Sequence, residues 1–251
     1  MAREKQYKKN PTDGEDVTFE TLFEDLVETV RYLKRKYQKE KIIIQGHSWG
    51  TILGLRYAHQ FTEDVLFYIG AGQVIDYMHG ERINLQKMKR LAAGSERSYR
   101  TIEAIERKLD SAKGYLPVKD LNKIKKKYGL GINFMKVSRI AMKSPVFGFT
   151  DVLAMIRAQK QNVHLLNFLS TFSAMKMTNF RVPVYFIHGE NDGQVPISQV
   201  KDYFETITAP DKGFFSITCA GHISAVDNLD GVLAAMGEIQ GRFERLHSSE
   251  G

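Results

Sequence analysis

A single cysteine, Cys219, in 251 residues excludes an internal disulfide and fits a reducing compartment. Alone at the end of an apolar run, it reads as a small buried residue rather than a reactive thiol. No apolar stretch reaches the roughly 18 residues that a membrane-crossing helix requires. The opening Met-Ala-Arg-Glu-Lys has no apolar core of a signal peptide, so the expectation is a cytoplasmic chain without a membrane partner. The seven histidines form neither a close pair nor a His-Glu-x-x-His motif, and the sequence calls for no metal and no other cofactor. Gly70-Ala-Gly72 follows an apolar run but lacks the third glycine and the acidic residue of a dinucleotide site, so it reads as a tight turn. Internal repeats and low-complexity tracts are absent.

What the chain does have is a positive balance, +7 with a pI near 9.3. Its densest clusters are Lys123-Ile-Lys-Lys-Lys127 and Lys87-Met-Lys-Arg90. Neither lies in a recognisable nucleic-acid-binding pattern, and both read as solvated helix faces; no nucleic-acid partner is expected. At 43% hydrophobic and 26% charged residues, the chain can bury one sizeable core with an insertion.

The segment Lys41-Ile-Ile-Ile-Gln-Gly-His-Ser-Trp-Gly50, followed by Thr51-Ile-Leu-Gly-Leu-Arg-Tyr-Ala58, reads as strand, sharp turn and helix. That is the setting of a nucleophile elbow, in which Ser48 sits on a strained turn with its hydroxyl lifted clear of a sheet. Gly46 and Gly50 suit a turn where backbone and helix leave no room for a Cβ. Two further strand runs end in residues of the right chemistry. Val182-Pro-Val-Tyr-Phe-Ile-His188 leads into Gly189-Glu-Asn-Asp192, and Phe214-Phe-Ser-Ile-Thr218 leads into Cys219-Ala-Gly-His222. Ser48, Asp192 and His222 thus follow one another in the order nucleophile, acid, histidine, the order of one particular class of serine hydrolases. An imidazole base works only while neutral, so activity is expected to fall on acidification through about pH 6 to 7. His47 and His188 lie close to these motifs and read as local packing or hydrogen-bonding residues.

On these residues the chain resembles the proline iminopeptidase group of the α/β-hydrolases. The matching motifs are Gly46-His-Ser-Trp-Gly-Thr51, Tyr68-Ile-Gly-Ala-Gly-Gln-Val74, Val182-Pro-Val with Gly189-Glu-Asn-Asp192, and Ala220-Gly-His222. The likeness runs from about Phe19 to the last helix and is loose between Asp76 and Thr178. It implies an α/β fold, mostly a parallel sheet, with a helical cap inserted over the site. It further implies a Ser48–His222–Asp192 triad, with Asp192 preferred over Glu190 by its place in the loop, and the Trp49 backbone N–H as one oxyanion donor. For substrate it implies release of an N-terminal residue, often proline, from a short peptide whose ammonium is bound by an acidic cap residue, with Glu81 named among the unranked candidates Glu81, Glu103, Glu106 and Asp151; esters and other amides stay open. The Trp49 ring either walls the pocket or fills core.

The departure from the pattern lies at the front. Only 47 residues precede Ser48, and Thr18 to about Tyr37 reads as an amphipathic helix, capped by Thr18, with Phe19, Leu22, Phe23, Leu26, Val27, Val30 and Leu33 at helical spacing. The first strands and the His-Gly-Gly-Pro type loop that supplies the second oxyanion donor have no counterpart. The Ile42–Ile44 strand is therefore expected to have a bare edge, available to a second copy or another partner. The division expected is residues 1–72 as the first part of a hydrolase core, 73–179 as the helical cap and 180–251 as the rest of the core. Helical pieces fall at Arg97–Leu109, Leu121–Tyr128, Phe149–Asn162 and Gly231–Leu246. A weak or inactive shortened relative, serving as a binding module, is the alternative function.

Overall fold

The computed structural model describes residues 17–111, 116–143, 148 and 163–248. Helix α1 (Phe19–Tyr37) starts where expected. The Thr18 side chain accepts from the Thr21 N–H, and the Thr21 hydroxyl oxygen accepts from the Thr18 N–H, so two donors at the open end are satisfied reciprocally. Gln38, with φ 51°, turns the chain out of the helix behind a last turn carrying Lys34, Arg35 and Lys36. The buried stripe Phe19, Phe23 and Val30 meets an aromatic cluster: Phe19 stacks on Phe168 at 4.0 Å between centroids, and Phe23 leans on Tyr57 and Phe61.

Among the described residues four parallel strands follow in the spatial order β1 (Ile42–His47), β2 (Val65–Ala71), β3 (Val184–Gly189) and β4 (Lys212–Ile217). Parallel neighbours need long crossovers. Helix α2 (Trp49–Gln60) makes the first, and α8 (Ile197–Thr206) the last. Between β2 and β3 the chain inserts α3 (Tyr77–Leu91), α4 (Glu96–Asp110), α5 (Val118–Lys127), α6 (Phe134–Ala141) and α7 (Val163–Thr171). After β4 come the short α9 (Ser224–Asp227) and α10 (Leu229–Ser248).

Every residue of β3 is buried, as a continuous apolar run in a doubly covered sheet requires. On one face Ile44, Tyr68, Val184 and Phe186 pack with α1, α2 and α8; on the other Phe67, Ile69, Tyr185 and Ile187 pack against Ala235 and Ile239 of α10. A third cluster, including Leu85, Met88, Ile102, Ile105, Leu121 and Ile124, joins α3, α4 and α5. The inserted helices thus carry a core of their own.

Among the described residues β1 pairs with β2 alone, and Ile43, Gln45 and His47 on its outer positions are exposed. Also among them, no helix is long and apolar enough to cross a membrane. The expected helix over Phe149–Asn162 and the candidate Asp151 lie outside the described residues. Two expectations are corrected. Lys125 is not on a solvated face: it is 1% exposed and ion-paired, because it shares a helical face with Leu121 and Ile124. Cys219 is exposed, on a residue with φ 55° that turns the chain away from β4.

Removing the start signal of α1 tests its share in stability. Thr18→Ala is expected to cost about 1 kcal/mol, read as a lower urea midpoint at unchanged slope.

Candidate active site

Because the four strands run the same way, their carboxyl ends line one rim: His47 is paired with Ala71, Ala71 with Ile187, and Gly189 with Ile217. The loops that leave this rim carry Ser48, Asp192 and His222. Residues 174 positions apart in the chain therefore meet at one point.

Ser48 has φ 51° and ψ −122°, a backbone conformation that side chains rarely adopt. Several contacts hold it there. Its N–H donates to the Ala71 carbonyl at 2.9 Å, and its own carbonyl accepts from the Thr51 N–H at 2.9 Å and the Thr51 hydroxyl at 2.5 Å. Thr51 Oγ1 in turn accepts from the Val74 N–H at 3.0 Å, which ties the elbow to the chain leaving β2. A Cβ on Gly46 would lie 2.6 Å from the Gly50 carbonyl oxygen, so the turn closes only with glycine there; the expectation for Gly50 is corrected, since a Cβ on it would meet nothing within 4 Å among the described residues.

Asp192 is 5% exposed, and its carboxylate has donors on both oxygens. Oδ1 accepts from the N–H groups of Gln194 at 2.7 Å and Val195 at 2.9 Å. Oδ2 lies 2.9 Å from His222 Nδ1 and 3.3 Å from His188 Nε2. His222 Nε2 lies 2.7 Å from Ser48 Oγ. Burial alone would raise the Asp192 carboxyl, but the His222 hydrogen bond, the two imidazoles and the Val195 N–H outweigh it and hold the group below the usual carboxylate range. An ionised Asp192 places the His222 proton on Nδ1, and the Ser48 hydroxyl then donates to the bare Nε2.

Both loops are also fastened to the inserted helices. Asn84 of α3 donates to the Gly193 carbonyl at 3.0 Å, and the Gln194 side chain donates to the Leu130 carbonyl at 3.1 Å. Beside His222, the Gly221 N–H donates to Asp227 Oδ2 at 2.9 Å, while Asp227 Oδ1 receives Lys136 of α6 at 3.0 Å. Gly72, with φ 58°, backs onto the ring: a Cβ there would lie 3.2 Å from His222 Cε1.

The remaining residues singled out from the sequence are distributed as follows. Trp49 opens α2, where the first N–H groups have no acceptor within the helix. Its ring packs between Phe19 and Phe168, at 6.0 and 6.1 Å. Glu190 is exposed at the rim and is not the residue on His222. Glu81 is fully buried, with Oε1 2.5 Å from Lys125 Nζ. Its Oε2 accepts no well-formed hydrogen bond, although the Tyr77 hydroxyl is beside the carboxylate. Burial raises this carboxyl above its ordinary range against the pull of Lys125 and Tyr77. Glu106 pairs with Lys89, and Glu103 is half-buried near the same lysine.

His47 and His188 hydrogen-bond beside the site, as read from the sequence, and both touch its residues. His47 Nε2 lies 3.0 Å from the His222 carbonyl, and the two rings are 5.2 Å apart. His188 lies against Asp192 itself. Its position four residues ahead of the acid, at a strand end, was the available signal.

The chain belongs to the alpha/beta hydrolase fold family, whose pattern it matches over residues 8–229. It is similar to a probable aminopeptidase, YbaC, of Bacillus subtilis (strain 168), with 24% identity over 222 residues, 84% of this chain and 69% of that protein. Among solved structures, a proline iminopeptidase of Mycobacterium smegmatis superposes with a TM-score of 0.59 at 16% identity, covering 88% of this chain and 72% of its own. A thermophilic esterase of Thermogutta terrifontis gives 0.51 at 15% identity, covering 91% and 74%. At such identities these structures speak for the fold alone.

Acidification tests the electrostatics. Burial lowers the His188 imidazole below its ordinary 6.5, against the pull of Asp192 and Val195. The unfolded chain therefore binds a proton that the folded chain refuses, and stability is lost as the pH falls below about 6.5. Asp192, also depressed, stabilises above 3.8 and loses that contribution as the pH falls through its lower folded value. Glu81, raised, works in the opposite sense above 4.5, so a variant comparison is needed to isolate His188. Between pH 7 and 5.5 the melting temperature should fall more in the wild type than in His188→Gln; equal falls would refute this account.

Proposed function

We propose that the chain is a serine hydrolase acting on peptide or amide bonds, with aminopeptidase-like specificity of the proline iminopeptidase kind. The observation that carries the reading is the unbroken line Ser48 Oγ, His222, Asp192, at 2.7 and 2.9 Å, with Ser48 on a strained turn. In this reading His222 Nε2 takes the Ser48 proton as Oγ bonds to the acyl carbon. The proton passes to the leaving amine as the C–N bond breaks, and water then releases the acid by the same route in reverse. Asp192 keeps the imidazole in the competent tautomer and stabilises its cation. No cofactor enters.

The Trp49 N–H supplies one donor to the oxyanion. A second comes from the inserted helices, the N-terminal segment or a partner chain. Residues 73–179 serve as a cap over Ser48, between core parts 1–72 and 180–251. The acidic residue proposed for a substrate ammonium is Glu81, which a substrate reaches only if its fully buried pair with Lys125 opens. Support for the substrate class is the likeness to a probable aminopeptidase. A single cysteine supports a reducing, cytoplasmic location.

A second reading, a weak or inactive relative that binds rather than cleaves, draws on one feature: no segment of the chain matches the His-Gly-Gly-Pro type loop. Loss of one oxyanion donor lowers turnover by about 100- to 1000-fold. Labelling by a fluorophosphonate separates the two. The hydrolase reading expects wild-type labelling that vanishes in Ser48→Ala, hydrolysis of a proline anilide reduced at least about 10,000-fold in that variant, and a rate that falls below about pH 6 to 7. Folded wild type that stays unlabelled selects the binding module.

Among the described residues β1 pairs on one side only, which supports a further part of the proposal, that this strand pairs with a second copy or a partner. Light scattering at increasing concentration should then show association. A monomer at every concentration would remove the self-pairing case.

A further inference from the structure

His188 is a buried ionisable group for which the proposed reaction has no step. It ends β3 at zero exposure, four residues ahead of Asp192. Its Nε2 lies 2.9 Å from the Val195 carbonyl oxygen and 3.3 Å from Asp192 Oδ2. A carbonyl can only accept, so the ring proton is on Nε2, and it points between two acceptors. Nδ1 is then a bare lone pair, and among the described residues it has no hydrogen-bond partner. The Phe214 ring lies roughly parallel to the imidazole at 6.4 Å. With one nitrogen committed and the other idle, His188 cannot pass a proton along.

Its place on the carboxylate gives it a different use. Asp192 Oδ2 is shared by two imidazoles, one leading to Ser48 and one leading nowhere. Every donor on a carboxylate draws charge away from the other donors it serves, and it also limits the rotation of the group. The Val195 carbonyl belongs to the same loop whose N–H holds Oδ1. One N–H therefore braces both the carboxylate and the turn that presents it.

We propose that His188 is a positioning residue for the hydrolysis described above: its Nε2–H clamps Asp192 and the Val195 turn and sets how much carboxylate charge remains for His222. This rests on the serine hydrolase reading. The charged or titratable groups that face His188 are Asp192 in its own loop, His222 from the turn after β4 and His47 from β1.

Two amide replacements separate the clamp from simple packing. In His188→Gln the amide nitrogen takes the place of Nε2 and keeps the donor. In His188→Asn it takes the place of Nδ1 and leaves the carboxylate one donor short. The expected result for His188→Asn is a kcat about tenfold lower at unchanged KM, with the acid limb of the pH profile moved to higher pH, because a less shared Asp192 stabilises the His222 cation better. His188→Gln should stay within about threefold of wild type with the limb in place. The same pair is read without turnover through the low-field proton resonance of the His222 Nδ1–H, which should move downfield in His188→Asn and not in His188→Gln.

The inference is overturned if His188→Asn keeps the wild-type resonance and acid limb, or if both variants lose activity equally with neither readout moved. Ser48→Ala is the separate control. If it hydrolyses the anilide as fast as wild type, the hydrolase reading fails, and the resonance alone decides whether His188 braces Asp192.

Discussion

A carboxylate withdrawn from water must find its hydrogen-bond donors in the protein or give up its charge, and that demand on Asp192 organises the whole rim of the sheet. Two backbone N–H groups and two imidazoles meet it. The turn after β3 must be tight enough to offer Gln194 and Val195. The loop after β4 must return far enough to bring His222 alongside, and it does so by pairing: the Glu190 N–H reaches the Ile217 carbonyl, and the Asn191 N–H reaches Ala220. Gly189 allows the approach, since a Cβ there would lie 2.2 Å from the Gly221 carbonyl oxygen.

The second constraint is conformational. Ser48 is held where an L-residue costs of order 1–3 kcal/mol, so the surroundings must overdetermine it. Thr51 does much of this by joining the Ser48 carbonyl to the Val74 N–H. Strain at the elbow and a buried charge at the acid loop are both destabilising in isolation. The doubly covered sheet beneath them supplies the rigidity that keeps both.

Much of the site was legible because its chemistry sits at strand ends. An apolar β-branched run, a glycine and a polar residue suffice to locate Ser48, Asp192 and His222, and a parallel sheet brings such ends together without further information. Helix α1 was legible down to its cap. What failed to show depended on tertiary context or on a single backbone angle. Lys125 looked like one more solvated lysine because Glu81 lies 44 positions away, although its spacing from Leu121 and Ile124 already put it on the apolar face. His188 ended an apolar run and read as a local packing or hydrogen-bonding residue; its partners are indeed local, but the residue types did not say that one of them is the acid of the site. The exposure of Cys219 depends on the sign of one φ angle, which residue type alone did not reveal.

The fastenings between the rim loops and the inserted helices carry a final implication. Asn84 and Leu130 grip the turn behind the acid, and Lys136 reaches the loop of the histidine through Asp227. These helices then act as struts for the two loops. Anyone reshaping selectivity by transplanting a different helical segment onto this sheet would also be replacing the scaffolding that keeps the machinery in true.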